Sequence, residues 1–171
     1  MKEALVVVDM LNDFVLEGAP LEVPKARVIV ASLKKRIDEA RTKGVPVIYV
    51  CDSHDEDDRE FKIWPKHCVG GTKGAEVVED LKPQIGEAVL KKKRYSGFFE
   101  THLDKVLQEK GIDSLTITGT LTNICVLYTA ADASMRGFQL TIPKDSIAAL
   151  NDEDHHFALR QMEEVMKAKI I

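Results

Sequence analysis

Cys125 stands in "GTLTNICVLYTA", Gly119 to Ala130, where a β-branched run, "SLTIT", hands over to a helix-like run. A cysteine in the first turn of a helix meets unpaired N–H groups and the positive end of the dipole, and both favour a thiolate. A nearby lysine would lower the thiol pKa further, and a nearby carboxylate could take the proton. N–H groups at the same helix start could hold the oxyanion of a tetrahedral intermediate. An acid and a lysine stand at matching places elsewhere in the chain. Asp9 closes the apolar run "ALVVVD", and Lys91, Lys92 and Lys93 close the run that starts at Glu87. Side chains alternate along a strand, so only one or two of the three lysines can face one side. Taken alone, Cys125 reads as a small packed hydrophobe. The convergence of an acid, a lysine and a cysteine on strand ends points instead to nucleophilic catalysis. Asp13, in the same "DMLNDF" segment, competes with Asp9 for the role of the acid.

A second group of residues has the makings of a metal site. "DSH" sets Asp52 and His54 two residues apart, on one side of an extended chain, and His67 follows in "WPKHC". Two imidazoles and one carboxylate, with positions left for water, suit zinc, manganese or iron. Cys68, beside His67, is a softer candidate ligand, but the three cysteines do not fall at zinc-finger spacing. "DEDDRE" (55–60) reads as a solvated acidic loop, and His102, His155 and His156 as structural or surface residues.

The elements that must position these groups alternate between strand and helix. Strands are expected at 4–9, 45–52, 87–92, 114–119 and 138–143, with "KII" at the C-terminus as a further edge strand. Helices are expected at 24–44, opened by Pro24; at 101–111, with Thr101 as N-cap; at 123–137; and at 152–168, with acids in its first turn. That alternation predicts right-handed βαβ crossovers and a parallel sheet covered on both faces. Ligands of such a sheet bind beyond the carboxyl ends of its strands, where Asp9, Asp52, Lys92 and Cys125 fall. The stretch 53–86 is polar, rich in Gly and Pro, and too long for an ordinary connection, which marks it as functional or mobile.

The 171 residues suit a single domain spanning 1–171, with 44% hydrophobic and 30% charged residues. A net charge of −4, with Lys and Arg dispersed, gives no footprint for nucleic acid or an anionic membrane. No apolar stretch is long enough to span a bilayer. The first residues lack the small-residue cleavage site of a signal peptide, and the odd cysteine count argues against a disulfide framework. The expected compartment is therefore the cytoplasm.

Five segments taken in order, "VVVDMLNDF", "VIYVCDSH", "WPKHCVGGTKGAE", "KKKRYSGFFETHLDKVL" and "GTLTNICVLYTAADA", resemble the isochorismatase-like cysteine hydrolases, and most closely their nicotinamidase branch. The resemblance implies a three-layer α/β/α fold around a doubly wound, mostly parallel six-stranded sheet. It implies Cys125 as nucleophile, Asp9 as general base and later acid, and Lys92, the lysine before x-Arg-Tyr-Ser, as orienting cation. It implies a cis peptide at Thr120–Leu121, with the Leu121 and Cys125 N–H groups as oxyanion donors. It implies one divalent transition metal on Asp52, His54 and His67, with zinc expected and iron or manganese as alternatives. Phe14 and Trp64 become the ring-stacking residues, and a homo-oligomer is expected. The usual stretch of this branch reads Asp-Trp-His-Pro with a further His and Ser-Phe shortly after, whereas this chain has "DSHDEDDREFKIWP". Isochorismatases proper lack the cysteine. The implied activity is hydrolysis of nicotinamide to nicotinate and ammonia. The alternatives are a related cysteine hydrolase for another small amide, an N-carbamoyl or a ureido compound such as ureidoacrylate, and a noncatalytic interaction domain that keeps the fold.

Overall fold

A computed structural model describes residues 2–171. Seven strands form one sheet in the order β3-β2-β1-β4-β5-β7, and β6 pairs with the end of β4. These are β1 (Glu3–Val8), β2 (Val47–Asp52), β3 (Ala88–Lys92), β4 (Ser114–Thr120), β5 (Gln139–Ile142), β6 (Ile147–Ala148) and β7 (Lys169–Ile170). Every strand pair is parallel. The chain steps outward from β1 to β2 and β3, then returns to the other side of β1 with β4. The carboxyl ends of β1 and β4 thus flank the switch point, where an open parallel sheet leaves a crevice for ligands.

Alternation along β1 splits its side chains between two layers. Leu5 and Val7 pack with Ile29, Leu33 and Ile37 of α2 (Pro24–Thr42). Ala4, Val6 and Val8 pack with Leu103 and Leu107 of α3 (Leu103–Glu109), Ala130 and Ala133 of α4 (Leu127–Met135) and Ala158 of α5 (Asp152–Arg160). A four-residue helix, α1 (Asn12–Val15), follows β1. Small residues on α4 bring it close to the sheet, as its sequence suggests. At the end of β4, Gly119 adopts φ +107°, and a Cβ there would collide with the Val8 carbonyl of β1. Only glycine lets these two strand ends run so close together.

Several boundaries move from their expected places. α4 is preceded by a π-helical turn, Thr122–Val126, and α5 is followed by another, Gln161–Val165. Thr101 is not the N-cap of α3. His102 holds that position, and the Thr101 hydroxyl accepts the Leu103 N–H at 3.2 Å from one residue further back. The C-terminal edge strand forms as β7. The two-residue β6, beyond the six strands implied by the resemblance, has no sequence signal of its own. The stretch 53–86 contains three short 3₁₀ turns; an isolated bridge from Leu11 to Val77 ties it to the body, and another, His54 with Val69, closes it on itself. No helix among the described residues is long and apolar enough to cross a membrane.

Candidate active site

Lys92 closes β3, and its side chain is fully buried at the carboxyl ends of β1, β2 and β4. Its Nζ lies 2.8 Å from Asp9 Oδ2, bonds to Asp52 Oδ1, and lies 3.4 Å from Cys125 Sγ. Asp9, Asp52 and Cys125 present ligand atoms within 4.8 Å of one another. Three such groups could hold a cation, and the Lys92 ammonium is that cation. Neither neighbouring lysine joins it. Lys91 is exposed, and Lys93 pairs with Asp55 at the surface, as strand alternation requires.

Local backbone geometry fixes each member. Asp9 follows β1 in the left-handed region, at φ +49°; its N–H donates to the Val50 carbonyl, and its Oδ1 accepts the Asp52 N–H at 2.7 Å. Asp9 Oδ2 is close to Lys92 but off the line of a hydrogen bond, so it keeps a free lone pair. Cys125 lies in the π-helical turn after β4, and the Thr120–Leu121 peptide ahead of it is cis, as expected. The segment after β3 docks on α4, where the Gly97 N–H donates to Thr129 Oγ1 at 2.9 Å. That contact draws the Lys92 strand end toward the Cys125 helix.

Burial dominates the electrostatics. Desolvation, helped by the Asp52 charge and opposed by Lys92, raises the Asp9 carboxyl to about 6. Desolvation pushes the Cys125 thiol well up, with Lys92 pulling the other way. Burial opposes charge on Lys92 too, yet Asp52 and Asp9 outweigh it and hold its pKa well above the ordinary value. Asp52 also resists its own burial: Lys92, His54 and His67 drive its carboxyl well below the usual range.

The other oxygen of Asp52 faces a second pocket. Its Oδ2 lies 3.7 Å from His54 Nε2 and 3.8 Å from His67 Nε2, and the three ligand atoms fall within 4.8 Å of one another. His54 Nε2 is buried without a hydrogen-bond partner. An orphaned imidazole nitrogen, a second imidazole and a carboxylate are a donor set that fits a divalent transition metal. Phe14 and Phe61 set their rings edge-on against His67, with centroids 5.4 Å and 5.8 Å away. Trp64 lies half-buried beside this pocket in sequence, with its Nε1 3.1 Å from the Tyr95 hydroxyl, and Tyr95 stacks on Tyr128 of α4. Cys68 does not reach the pocket: it is buried, and its N–H donates to Asp13 Oδ2 at 2.7 Å. That bond also accounts for Asp13, which ties down the loop while Asp9 meets the lysine.

"DEDDRE" is not a solvated loop throughout. The side chains of Asp58 and Glu60 are 3% and 6% exposed. Asp58 Oδ2 lies 3.1 Å from His54 Nδ1, and Glu60 Oε1 lies 4.0 Å from His54 Nε2, within reach of a shared ion. Arg94 Nη1 approaches both carboxylates, at 3.0 Å and 3.6 Å. Burial works against the Asp58 charge, but the Glu60 N–H, His54 and Arg94 prevail and hold its carboxyl at about 2. Burial and the Asp52 charge raise Glu60. The sequence reading missed Asp58, Glu60, Phe61 and Arg94. The one available signal was Arg94 itself, a lone guanidinium just past the strand end that carries Lys92.

The model of the isochorismatase domain matches residues 3–170. The chain belongs to the isochorismatase family. Its relatives in the family include amide hydrolases, which supports hydrolase activity on amides as the general chemistry. The N-carbamoylsarcosine amidase of Thermoplasma acidophilum is 40% identical, with a TM-score of 0.92 over 99% of this chain and 95% of that one. The nicotinamidase/pyrazinamidase PncA of Bacillus subtilis is 34% identical, with a TM-score of 0.95 over 99% of both chains. The pyrazinamidase of Pyrococcus horikoshii, solved in complex with zinc, is 33% identical, with a TM-score of 0.93 over 100% of this chain and 99% of that one.

Proposed function

We propose that this protein is a cysteine amidohydrolase that converts nicotinamide to nicotinate and ammonia through a thioester on Cys125. The observation that carries this reading is the position of Lys92 Nζ, 2.8 Å from Asp9 and 3.4 Å from the Cys125 thiol, with Asp52 shared between this cluster and a two-histidine pocket.

Asp9 takes the thiol proton on its free Oδ2 lone pair, and the Lys92 ammonium offsets the thiolate charge as it forms. The sulfur attacks the amide carbon, and the negative oxygen settles on the Leu121 and Cys125 N–H groups. The intermediate collapses: the C–N bond breaks, and Asp9 returns its proton to the departing ammonia. Asp9 then accepts a proton from water as the oxygen adds to the thioester carbon. The C–S bond breaks, the thiol recovers its proton and the acid leaves. A fully buried acid at about pKa 6 suits both halves of this cycle, as proton acceptor and as donor.

Asp52, His54 and His67 would hold a divalent metal, with zinc favoured by the pyrazinamidase relative, and the metal would supply a Lewis acid for a ring nitrogen. Phe14, Phe61 and Trp64 offer apolar ring surface on which a flat heterocycle can stack. Ring surfaces placed there would hold the carboxamide against the sulfur, and positioning of that kind is a large share of a barrier.

A second reading is an N-carbamoyl or ureido hydrolase, favoured by the 40% identity to the carbamoylsarcosine amidase. An ammonia-release panel separates the two. Nicotinamide should exceed benzamide and acetamide in kcat/KM, because they lack the ring nitrogen. Release from N-carbamoylsarcosine or a ureido acid, with none from nicotinamide, transfers the case to the second reading.

A further inference from the structure

Both imidazoles of the Asp52 pocket are held through Nδ1, but by different means. His67 Nδ1 meets the Pro65 carbonyl at 2.6 Å, a bond made within its own turn. His54 Nδ1 meets the Asp58 carboxylate at 3.1 Å, and Asp58 depends on a residue from another element. Arg94 Nη1 lies 3.0 Å and 3.2 Å from the two Asp58 oxygens, and the Glu60 N–H holds Asp58 Oδ1 at 2.9 Å. A carboxylate only accepts, so in the neutral imidazole of His54 the proton sits on Nδ1 and the lone pair on Nε2. That Nε2 is the buried nitrogen left without a partner beside Asp52.

We propose that Asp58 and Arg94 are positioning residues of the metal pocket: Arg94 clamps Asp58 against His54, and Asp58 selects the tautomer and ring orientation that make His54 a ligand. This deepens the metal reading given above and is independent of which amide is hydrolysed. Outer carboxylate–histidine pairs raise ligand basicity and fix ring orientation, and their loss typically weakens metal binding about 10–100-fold. The clamp also explains the order of residues after β3. Lys92 turns in to the Cys125 cluster, Lys93 turns out to Asp55, and Arg94 turns to Asp58. One strand end therefore sets both the sulfur cluster and the metal pocket.

The test is a zinc titration of the metal-free full chain against a competing chelator, with the melting temperature of each metal-free variant recorded alongside. Asp58→Ala should weaken zinc binding about 10–100-fold. Asp58→Asn, whose amide oxygen still accepts from Nδ1, should recover part of that loss. Arg94→Met should show a smaller loss, and the double variant should bind no more weakly than Asp58→Ala alone. The nitrogen chemical shifts of His54 should report the Nδ1–H tautomer in the wild type and a mixture in Asp58→Ala, a change that general loosening of the fold does not produce. An Nε2–H tautomer in the wild type, or zinc affinity unchanged in Asp58→Ala, overturns the proposal. If Asp58→Ala does not fold, Asp58→Asn, Arg94→Met and the wild-type tautomer decide it. Zinc binding lost with Asp58 in a protein that releases no ammonia from nicotinamide would refute the proposed substrate and support the clamp. A wild type that binds no zinc overturns the clamp.

Discussion

The Cys125 cluster and the candidate metal pocket share Asp52, yet they are built in opposite ways. The cluster sits on regular strand ends: Asp9 after β1, Lys92 on β3 and Cys125 just past β4. Neighbouring parallel strands at fixed spacing bring its atoms together, and short local turns at the strand ends aim them. The pocket draws only Asp52 from a strand. Its other members lie on the irregular stretch 53–69, and they are held by one another and by Arg94. The first site is a by-product of sheet geometry. The second is a network that needs its polar partners to be complete. Damage should therefore stay local in the cluster and spread in the pocket.

The largest expected effect tests the first half of that contrast. Cys125→Ala should cut turnover by roughly 10⁴–10⁶-fold while the melting curve barely moves, because a nucleophile is lost but little volume. Normal turnover would end the covalent mechanism. Asp9→Asn and Lys92→Met should each cost about 10³-fold or more, without adding in the double variant, since the groups act as a unit. Lys92→Met should also destabilise by about 3–5 kcal/mol, because it leaves two buried carboxylates facing one another. Denaturant midpoints would check this, and an unchanged midpoint would contradict the buried ion pairs.

The second half is tested at the histidines. His54→Ala and His67→Ala should each remove bound zinc, measured by elemental analysis, while Cys125 alkylation by iodoacetamide keeps its wild-type rate. If alkylation changes as much as metal content, the two sites are not separable as argued. The smallest effect is expected at the rim. Trp64→Ala should raise KM for nicotinamide about tenfold with little change in kcat, an effect on binding that ground state and transition state share. An equal effect on acetamide would remove Trp64 from ring recognition.

The same contrast explains what could be read from the sequence. Strand periodicity places Asp9, Lys92 and Cys125 at one sheet edge, because a two-residue alternation and a strand end are local properties. The choice of Lys92 among three lysines needed the family motif, and the structure places the same residue against the sulfur. Asp52, His54 and His67 were grouped by residue type and by the family motif rather than by spacing, since no spacing rule spans the loop between positions 54 and 67. Asp58 and Glu60 were illegible. An acid in an acidic run looks solvated until its partner, here Arg94 from another element, is known. Short elements failed for a related reason: β6 is two residues long, and its pairing with β4 creates it.

The distances along the chain that the Lys92 contacts span have a consequence in time. Lys92 reaches Cys125 across 33 residues and Asp52 across 40, and the Asp9–Asp52 bond spans 43. Contacts of this reach need the costly non-local strand pairings, so the cluster is expected to form late in folding. Before it forms, Cys51, Cys68 and Cys125 are expected to be ordinary accessible thiols with no ammonium beside them. Refolding yield should accordingly depend on reductant, whereas in the finished protein Cys51 and Cys68, buried and outside the cluster, should resist mild oxidants and leave Cys125 as the thiol that reacts.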